Sequence, residues 1–215
     1  GTGLAGGAVP IGEPVIIATA KMNKILEVDL DNRIAWVEPG VLNLDLSNEL
    51  LPLGFHFAPD PSSQQVCSIG GNVANNSGGP HCLAYGVTSA HIAALEVVLP
   101  DGQVAQFGDL TADGAGYDLR GLFVGSEGTM GITTRIAVRL TQNPPEVRTL
   151  LLDFADVRDG AAAVSAIIAA GLIPAALEMM DKRAIEIVEA FVNAGYPTEA
   201  DAVLLVELDL SLIHI

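Results

Sequence analysis

Apolar and polar positions alternate from Ile25 to Pro39, in the run ILEVDL-DN-RIAWVEP, and the alternation continues on both sides of Asp31-Asn32. Successive side chains of a strand point to opposite faces, so this pattern predicts two antiparallel strands joined by a two-residue loop. From Val41 to Leu53 the spacing changes. Leu42, Leu46, Leu50 and Leu53 fall at helical intervals, and Gly54 supplies a residue that tolerates a left-handed stop. The segment LEVVL-PDG-QVAQF, Leu95 to Phe107, predicts a second hairpin around Pro-Asp-Gly, and Ile132, Thr134, Ile136, Val138 and Leu140 alternate along a further strand. The first two thirds therefore read as an α+β domain on a mainly antiparallel sheet with flanking helices.

After Leu140 the stretch Thr-Gln-Asn-Pro-Pro-Glu cannot continue a strand, because proline has no N–H for the ladder. A boundary placed there gives two domains, 1–143 and 144–215. The second is expected to contain a strand at Thr149 to Phe154 and a helix near Ala161 to Ala170. A second helix should carry Leu177, Met180, Ile185, Val188 and Phe191 before Gly195, and a strand should run from Ala202 to Leu210. A strand, two helices and a strand make the beginning of an α/β domain. The apolar run from Ala161 to Met180 is divided by Ser165, Gly171 and Pro174, which favours a buried helix and a turn over a membrane span.

Half of the 215 residues are hydrophobic, enough for a sizeable core. The formal net charge of −16 would repel nucleic acid and anionic lipid, leaving a small molecule as the expected partner. Cys67 and Cys82 are too few for a disulfide framework and fit a reducing compartment such as the cytoplasm. The sequence begins at Gly1 without a basic-then-apolar leader, so no secretory signal is expected.

Candidate chemistry concentrates in three glycine-rich segments, none with a basic residue: GTGLAGG (1–7), SIGGNVANNSGG (68–79) and GSEGTMG (125–131). Glycine permits positive φ angles and close approach, so successive backbone N–H groups can cradle a phosphate without Lys or Arg. Ser68 is placed to open a short helix whose N-terminal amides would favour an anion. Gly1, Gly3 and Gly6 also satisfy G-x-G-x-x-G, but Gly7, Pro10, Gly12 and Pro14 oppose the helix a nicotinamide-binding Rossmann site requires. A nicotinamide-dinucleotide dehydrogenase remains an alternative on that motif, with Glu27 or Asp29 as its ribose acid. His81, Cys82 and His91 lack metal-ligand spacing, and His56 and His214 are isolated, so no metal is expected. Glu127 sits in a glycine turn where its carboxylate could accept from a ribose or an amide. Pro59 to Ser63 would form a stiff loop that either lines a ligand or serves only as a connection.

The three segments GTGLAGGAVP, APDPSSQQVCSIGGNVANNSGGPHCLAYG and GYDLRGLFVGSEGTMGITT, in this order, resemble the FAD-binding (PCMH-type) domain of the vanillyl-alcohol-oxidase type of FAD-linked oxidases. Within that family the resemblance is to the branch of bacterial glycolate oxidase D subunits and D-lactate dehydrogenases. It continues through GLIPAALEMMDKRAI and FVNAGYPTEADAVLLVELD, which look like the start of that branch's substrate-side cap domain. The resemblance implies a flavoprotein oxidoreductase that uses FAD to oxidise a small 2-hydroxy acid. It also implies an iron-sulfur electron-transfer partner, through which a cytoplasmic protein without a transmembrane segment would reach the membrane.

Carried over residue by residue, Gly1, Thr2, Gly3, Leu4, Gly6 and Gly7 would wrap the FAD diphosphate. Pro59, Ser68, Gly70, Gly71, Asn72, Asn75, Ser77 and Gly78 would continue the cradle, with Tyr85 and Gly86 just beyond. Glu127, Gly128, Gly131 and Ile132 would face the nucleotide end or the cofactor edge. The first loop offers no His as a flavin tether, so the FAD is expected to be noncovalent. Family members carry an extra N-terminal lobe and a later His-containing catalytic segment, which places the catalytic residues outside this sequence. After Asp209 the family pattern expects Gly where this chain reads Leu-Ser-Leu-Ile-His-Ile, which points to a non-native terminus. A nucleotide-binding or assembly module without catalysis is the alternative of a different class.

Overall fold

The computed structural model describes residues 1–110 and 116–210. In chain order the elements are β1 (Ile25–Asp29), β2 (Ile34–Val37), α1 (Asn43–Leu50), β3 (Phe55–His56), α2 (Ile69–Asn75), α3 (Cys82–Tyr85), β4 (Ile92–Val98), β5 (Val104–Gly108), α4 (Arg120–Phe123), β6 (Ile132–Arg139), β7 (Thr141–Gln142), β8 (Glu146–Phe154), α5 (Val157–Ala169), β9 (Ala176–Asp181), α6 (Lys182–Val192) and β10 (Ala202–Leu210). They form two compact units. One comprises Gly1–Gly79 and Gly86–Asn143; the other comprises Pro80–Tyr85 and the chain from Pro144 onward.

The first unit is built on a five-stranded sheet in the order β1-β2-β6-β4-β5, antiparallel at every pairing. Alternation decides its faces. Ala35 and Val37 of β2, Leu95 and Val97 of β4, and Ile136 and Val138 of β6 join Leu46 and Leu50 of α1 and Ile69 and Val73 of α2 in one buried cluster. Ile34, Ala93, Ala94 and Ala137 form a second buried cluster, with Trp36 packed against it. Arg135 lies 5.3 Å from the Trp36 ring centroid, a cation–π contact. Two thirds of the helical stripe read from Val41 to Leu53 is α1; the last turn tightens to a 3₁₀ helix, and Gly54, at φ 83°, ends it.

The first hairpin has a longer loop than the two residues its sequence suggests, because Asp29 pairs with Ile34. Asp-Asn lacks the glycine that a tight two-residue turn favours. Instead Asp29 accepts the Asn32 backbone N–H at 2.9 Å and its side-chain amide at 2.7 Å, and Arg33 takes the left-handed conformation at φ 55°. The second hairpin closes at Pro-Asp-Gly, with Gly102 at φ 82°. Thr141 and Gln142 do pair, with His56 and Phe55, since only the prolines that follow lack donors.

The second unit has a three-stranded antiparallel sheet, β8-β10-β9, crossed by α5 and α6. Here the sequence reading needs correction. Leu177 and Met180 belong to β9, not to a helix, and the helix begins only at Lys182. Asp181 accepts the Ala184 N–H at 2.8 Å and caps α6 at that point. The same device starts α5 earlier than expected, with Asp156 accepting from the Arg158 backbone. Asn193, at φ 53°, ends α6 ahead of Gly195. None of the described helices is long and apolar enough to cross a membrane.

Candidate cofactor site

The three glycine-rich segments line one cleft of about 790 Å³ in the first unit, within the roughly 300–1,000 Å³ usual for small-molecule sites. Its organising element is α2. Ser68 caps the helix by accepting the Gly71 N–H at 3.2 Å, and Asn76, left-handed at φ 48°, closes it. The third segment hangs on the other end of the same helix: Gly125 N–H donates to Val73 O and Glu127 N–H to Ala74 O, both at 2.8 Å. The first segment lies alongside. A Cβ built on Gly3 would stand 3.6 Å from Asn75 Oδ1, and one on Gly7 would stand 2.5 Å from Glu127 Oε2.

Hydrogen-bond bookkeeping changes what the helix end can do. Ile69 N–H donates to Val41 O, Gly70 N–H to Pro39 O and Gly71 N–H to Ser68 Oγ, so the amides expected to favour an anion are already used inside the protein. In the first loop the amides of Gly3, Leu4, Ala5 and Gly7 have no hydrogen-bond partner among the described residues. The available donors are therefore on the loop beside the helix. No helix follows Gly1, Gly3 and Gly6; the first 24 residues form turns and extended chain.

Of the residues carried over from the family, Gly1, Thr2, Gly3, Leu4, Gly6, Gly7, Ser68, Gly70, Gly71, Asn72, Asn75, Ser77, Gly78, Glu127, Gly128, Gly131 and Ile132 line the cleft. Pro59, Tyr85 and Gly86 do not. The Pro59 carbonyl instead accepts from Asn43, and Tyr85 belongs to the second unit. The cleft also uses Pro39 and Cys67, which carry no functional signal in the sequence, Ser126 of the third glycine segment, and Pro61 and Ser63 of the stiff Pro-Asp-Pro-Ser-Ser loop. Thr2 Oγ1 donates to Ser63 Oγ at 3.3 Å, joining that loop to the first segment. Among the described residues Glu127 is the only carboxylate on the cleft wall, and no Lys or Arg lines it.

The histidines are dispersed. His56 Nδ1 meets Asn143 Oδ1 at 2.8 Å, and His91 stands edge-on to Phe57 with ring centroids 6.2 Å apart. In the second unit His81 Nε2 lies 2.9 Å from Glu207 Oε1, while the Tyr85 hydroxyl donates to Asp209. His214 lies outside the described residues. Burial, then the bond to the Asp209 carboxylate and its charge, hold the Tyr85 phenol well above its ordinary range. A raised folded-state value means that stability is fully present below the unfolded phenol's range, near pH 10, and is lost as pH rises beyond it. Tyr85→Phe is expected to cost about 1 kcal/mol at neutral pH and to flatten the alkaline limb of thermal unfolding. Parallel curves for variant and parent above pH 10 would contradict this.

A family model described as FAD binding domain matches residues 1–108, half of the chain, and one described as FAD linked oxidases, C-terminal domain, matches residues 143–212. Glycolate oxidase subunit GlcD of Escherichia coli (strain K12) is 48% identical over 209 residues, which are 97% of this chain and 42% of that protein. D-lactate dehydrogenase of Anaerostipes hadrus is 38% identical over 202 residues, 93% of this chain and 42% of its own length. The chain thus spans less than half of these curated relatives. Among solved structures, an alkyldihydroxyacetonephosphate synthase superposes with TM-score 0.84 at 20% identity, covering 99% of this chain and 42% of its own, a likeness of fold. Two successive domain matches and a glycine-lined cleft without Lys or Arg among the described residues lead to one conclusion: the chain belongs to the FAD-binding-domain family of FAD-linked oxidases.

Proposed function

We propose that the protein carrying this chain oxidises a small 2-hydroxy acid, glycolate or D-lactate, to the 2-oxo acid, with FAD held noncovalently in the cleft of the first unit. The observation that carries this reading is the set of unpartnered first-loop amides, those of Gly3, Leu4, Ala5 and Gly7, on residues that line a cleft without Lys or Arg among the described residues. Such donors suit a diphosphate that is gripped by backbone alone. The residues present fit the cofactor in a second way. At Gly7 a Cβ would stand 2.5 Å from Glu127 Oε2, so glycine lets the first and third segments of the cleft wall approach each other.

When bound, the flavin supplies a two-electron acceptor that no side chain of this chain could provide. The protein's part is binding and orientation. Thr2 and the first-loop amides hold the diphosphate; Ser68, Gly70, Gly71, Asn72, Asn75, Ser77 and Gly78 form the wall towards the flavin. Glu127, in a cleft without Lys or Arg among the described residues, is assigned to neutral ribose or amide donors, because a carboxylate beside the diphosphate would be repelled. Pro59, Tyr85 and Gly86 are not assigned a cofactor contact. Residues 1–143 are taken as the FAD-binding domain and 144–215 as the beginning of the substrate-side domain. The base that removes the hydroxyl proton is placed outside this sequence. Electrons are proposed to leave through an iron-sulfur subunit, with the protein cytoplasmic and reaching the membrane only through that partner.

The test is spectroscopic. The purified full-length protein should show flavin absorption, release it into solution on acid precipitation, and bleach under anaerobic conditions on addition of glycolate or D-lactate. A colourless protein that reduces NAD with a hydroxy acid would establish the nicotinamide alternative. A yellow protein that no 2-hydroxy acid bleaches would leave a binding module.

A further inference from the structure

The structure assigns to Asn43, the first residue of α1, the role of a positioning residue that fixes two walls of the cofactor cleft against each other; this rests on the FAD reading above. Asn43 is fully buried and does not line the cleft. Its backbone N–H donates to Cys67 O at 3.0 Å. Its side-chain amide donates twice, to Pro59 O at 2.8 Å and to Asn72 Oδ1 at 2.9 Å. One side chain therefore joins α1, the Pro-Asp-Pro loop and α2, three segments far apart in sequence.

The orientation of the carboxamide is forced. Pro59 O can only accept, so Asn43 must present its Nδ2 there, and Asn72 must answer with Oδ1. Asn72 then turns its own Nδ2 to Cys67 Sγ, at 3.4 Å, and its backbone carbonyl accepts from Ser77 N–H at 3.0 Å. The chain of contacts runs from α1 through Asn72 to Ser77, on the cleft wall. It leaves Asn43 Oδ1 buried with no partner, alone in that respect among the described side chains. A buried acceptor without a donor is destabilising, and an apolar residue of the same size would avoid that cost. The arrangement is explained if the two donated bonds matter more than the orphaned oxygen.

Further bonds around this segment follow the same logic. Thr88, also fully buried, donates both its N–H and its hydroxyl to Ser77 O, at 3.0 and 2.7 Å. Asn76 Oδ1 accepts the Ser89 N–H at 2.8 Å. Buried polar side chains are few in the first unit, and Asn43, Asn72 and Thr88 all hold the same segment of the cleft.

The experiment compares Asn43→Ala, Asn72→Ala, the double variant and Leu50→Ala in the full-length flavoprotein. Leu50 lies on the same helix, is 1% exposed and makes no contact with the cleft, so its truncation reports on stability alone. FAD dissociation constants, the circular dichroism of the bound flavin and melting temperatures are measured together. Asn43→Ala and Asn72→Ala should each weaken FAD binding roughly tenfold or more, and the double variant should add little, as expected for partners in one network. Both should alter the flavin dichroism. Leu50→Ala should lower the melting temperature at least as far while changing FAD affinity by no more than about twofold. If the asparagine variants lose no more affinity than Leu50→Ala, the positioning role is overturned while FAD binding stands. If the parent protein binds no FAD, the functional reading itself has failed. Should Asn43→Ala not fold, Asn43→Leu, which fills the same space without either donated bond and without an orphaned oxygen, tests the role at a residue that does not line the cleft.

Discussion

Gly70→Ala is expected to lower the melting temperature by roughly 6–12 °C and to abolish tight FAD binding, whereas Gly71→Ala, one residue on, should leave the fold intact. The difference is in what each new methyl meets. At position 70 a Cβ would lie 2.6 Å from Pro39 Cβ and 2.8 Å from Pro39 O. Gly70 N–H donates to that same carbonyl, so the helix cannot retreat without breaking its own anchor. Overpacking of this kind costs about 1–3 kcal/mol, and a rigid backbone neighbour puts it at the upper end. At position 71 the nearest atom is Ser68 Oγ at 3.4 Å, an ordinary contact. Alanine should gain about 0.5–1 kcal/mol there from backbone entropy, and because Gly71 lines the cleft the added methyl is expected to weaken FAD binding. Thermal unfolding of both variants with and without FAD checks the pair. Equal melting temperatures for the two would show that Pro39 yields and that the close approach at Gly70 is not required.

That contrast also shows how far the sequence could be read. The composite glycine segments were legible because glycine has few reasons to cluster besides turns and close approach, and all three do meet at one cleft. Strand alternation placed β6 almost to the residue, since a sheet with a core side enforces period two, whereas β4 begins at Ile92, three residues before the expected start; the strand expected from Ala202 to Leu210 is β10. Leu177 and Met180 were misread because a short apolar run fits a helix face and a strand equally well, and the cap at Asp181 that separates them is a single side chain. The dependence on Asn43 was invisible for a different reason. Its partners, Pro59, Cys67 and Asn72, are brought to it only by the fold, and an asparagine at a helix start looks like any cap. Likewise, Ser68 was correctly read as a helix opener, but the sequence could not show that Pro39 and Val41 already occupy the amides it would expose.

Glu127 offers the sharpest separation of stability from binding. It holds a left-handed backbone at φ 51°, between Gly125 and Gly128, which are at 86° and 76°. A side chain in that conformation costs about 1 kcal/mol, and the surrounding glycines show that the turn does not need one. Glu127→Gly should therefore leave apo-protein stability within about 0.5 kcal/mol, the relieved strain offsetting the greater freedom of glycine in the unfolded chain. FAD affinity should fall roughly 10- to 100-fold, the equivalent of a hydrogen bond to a charged group. Glu127→Gln distinguishes the two places the carboxylate could face. If it accepts from ribose or amide donors, the neutral variant binds FAD more weakly; if it faces the diphosphate, removing the charge relieves repulsion and binding tightens. Titration of the parent and Glu127→Gln apo-proteins with FAD at two salt concentrations reads both outcomes: the net charge of −16 makes both affinities rise with salt, and only in the diphosphate arrangement does the neutral variant lose part of that salt dependence.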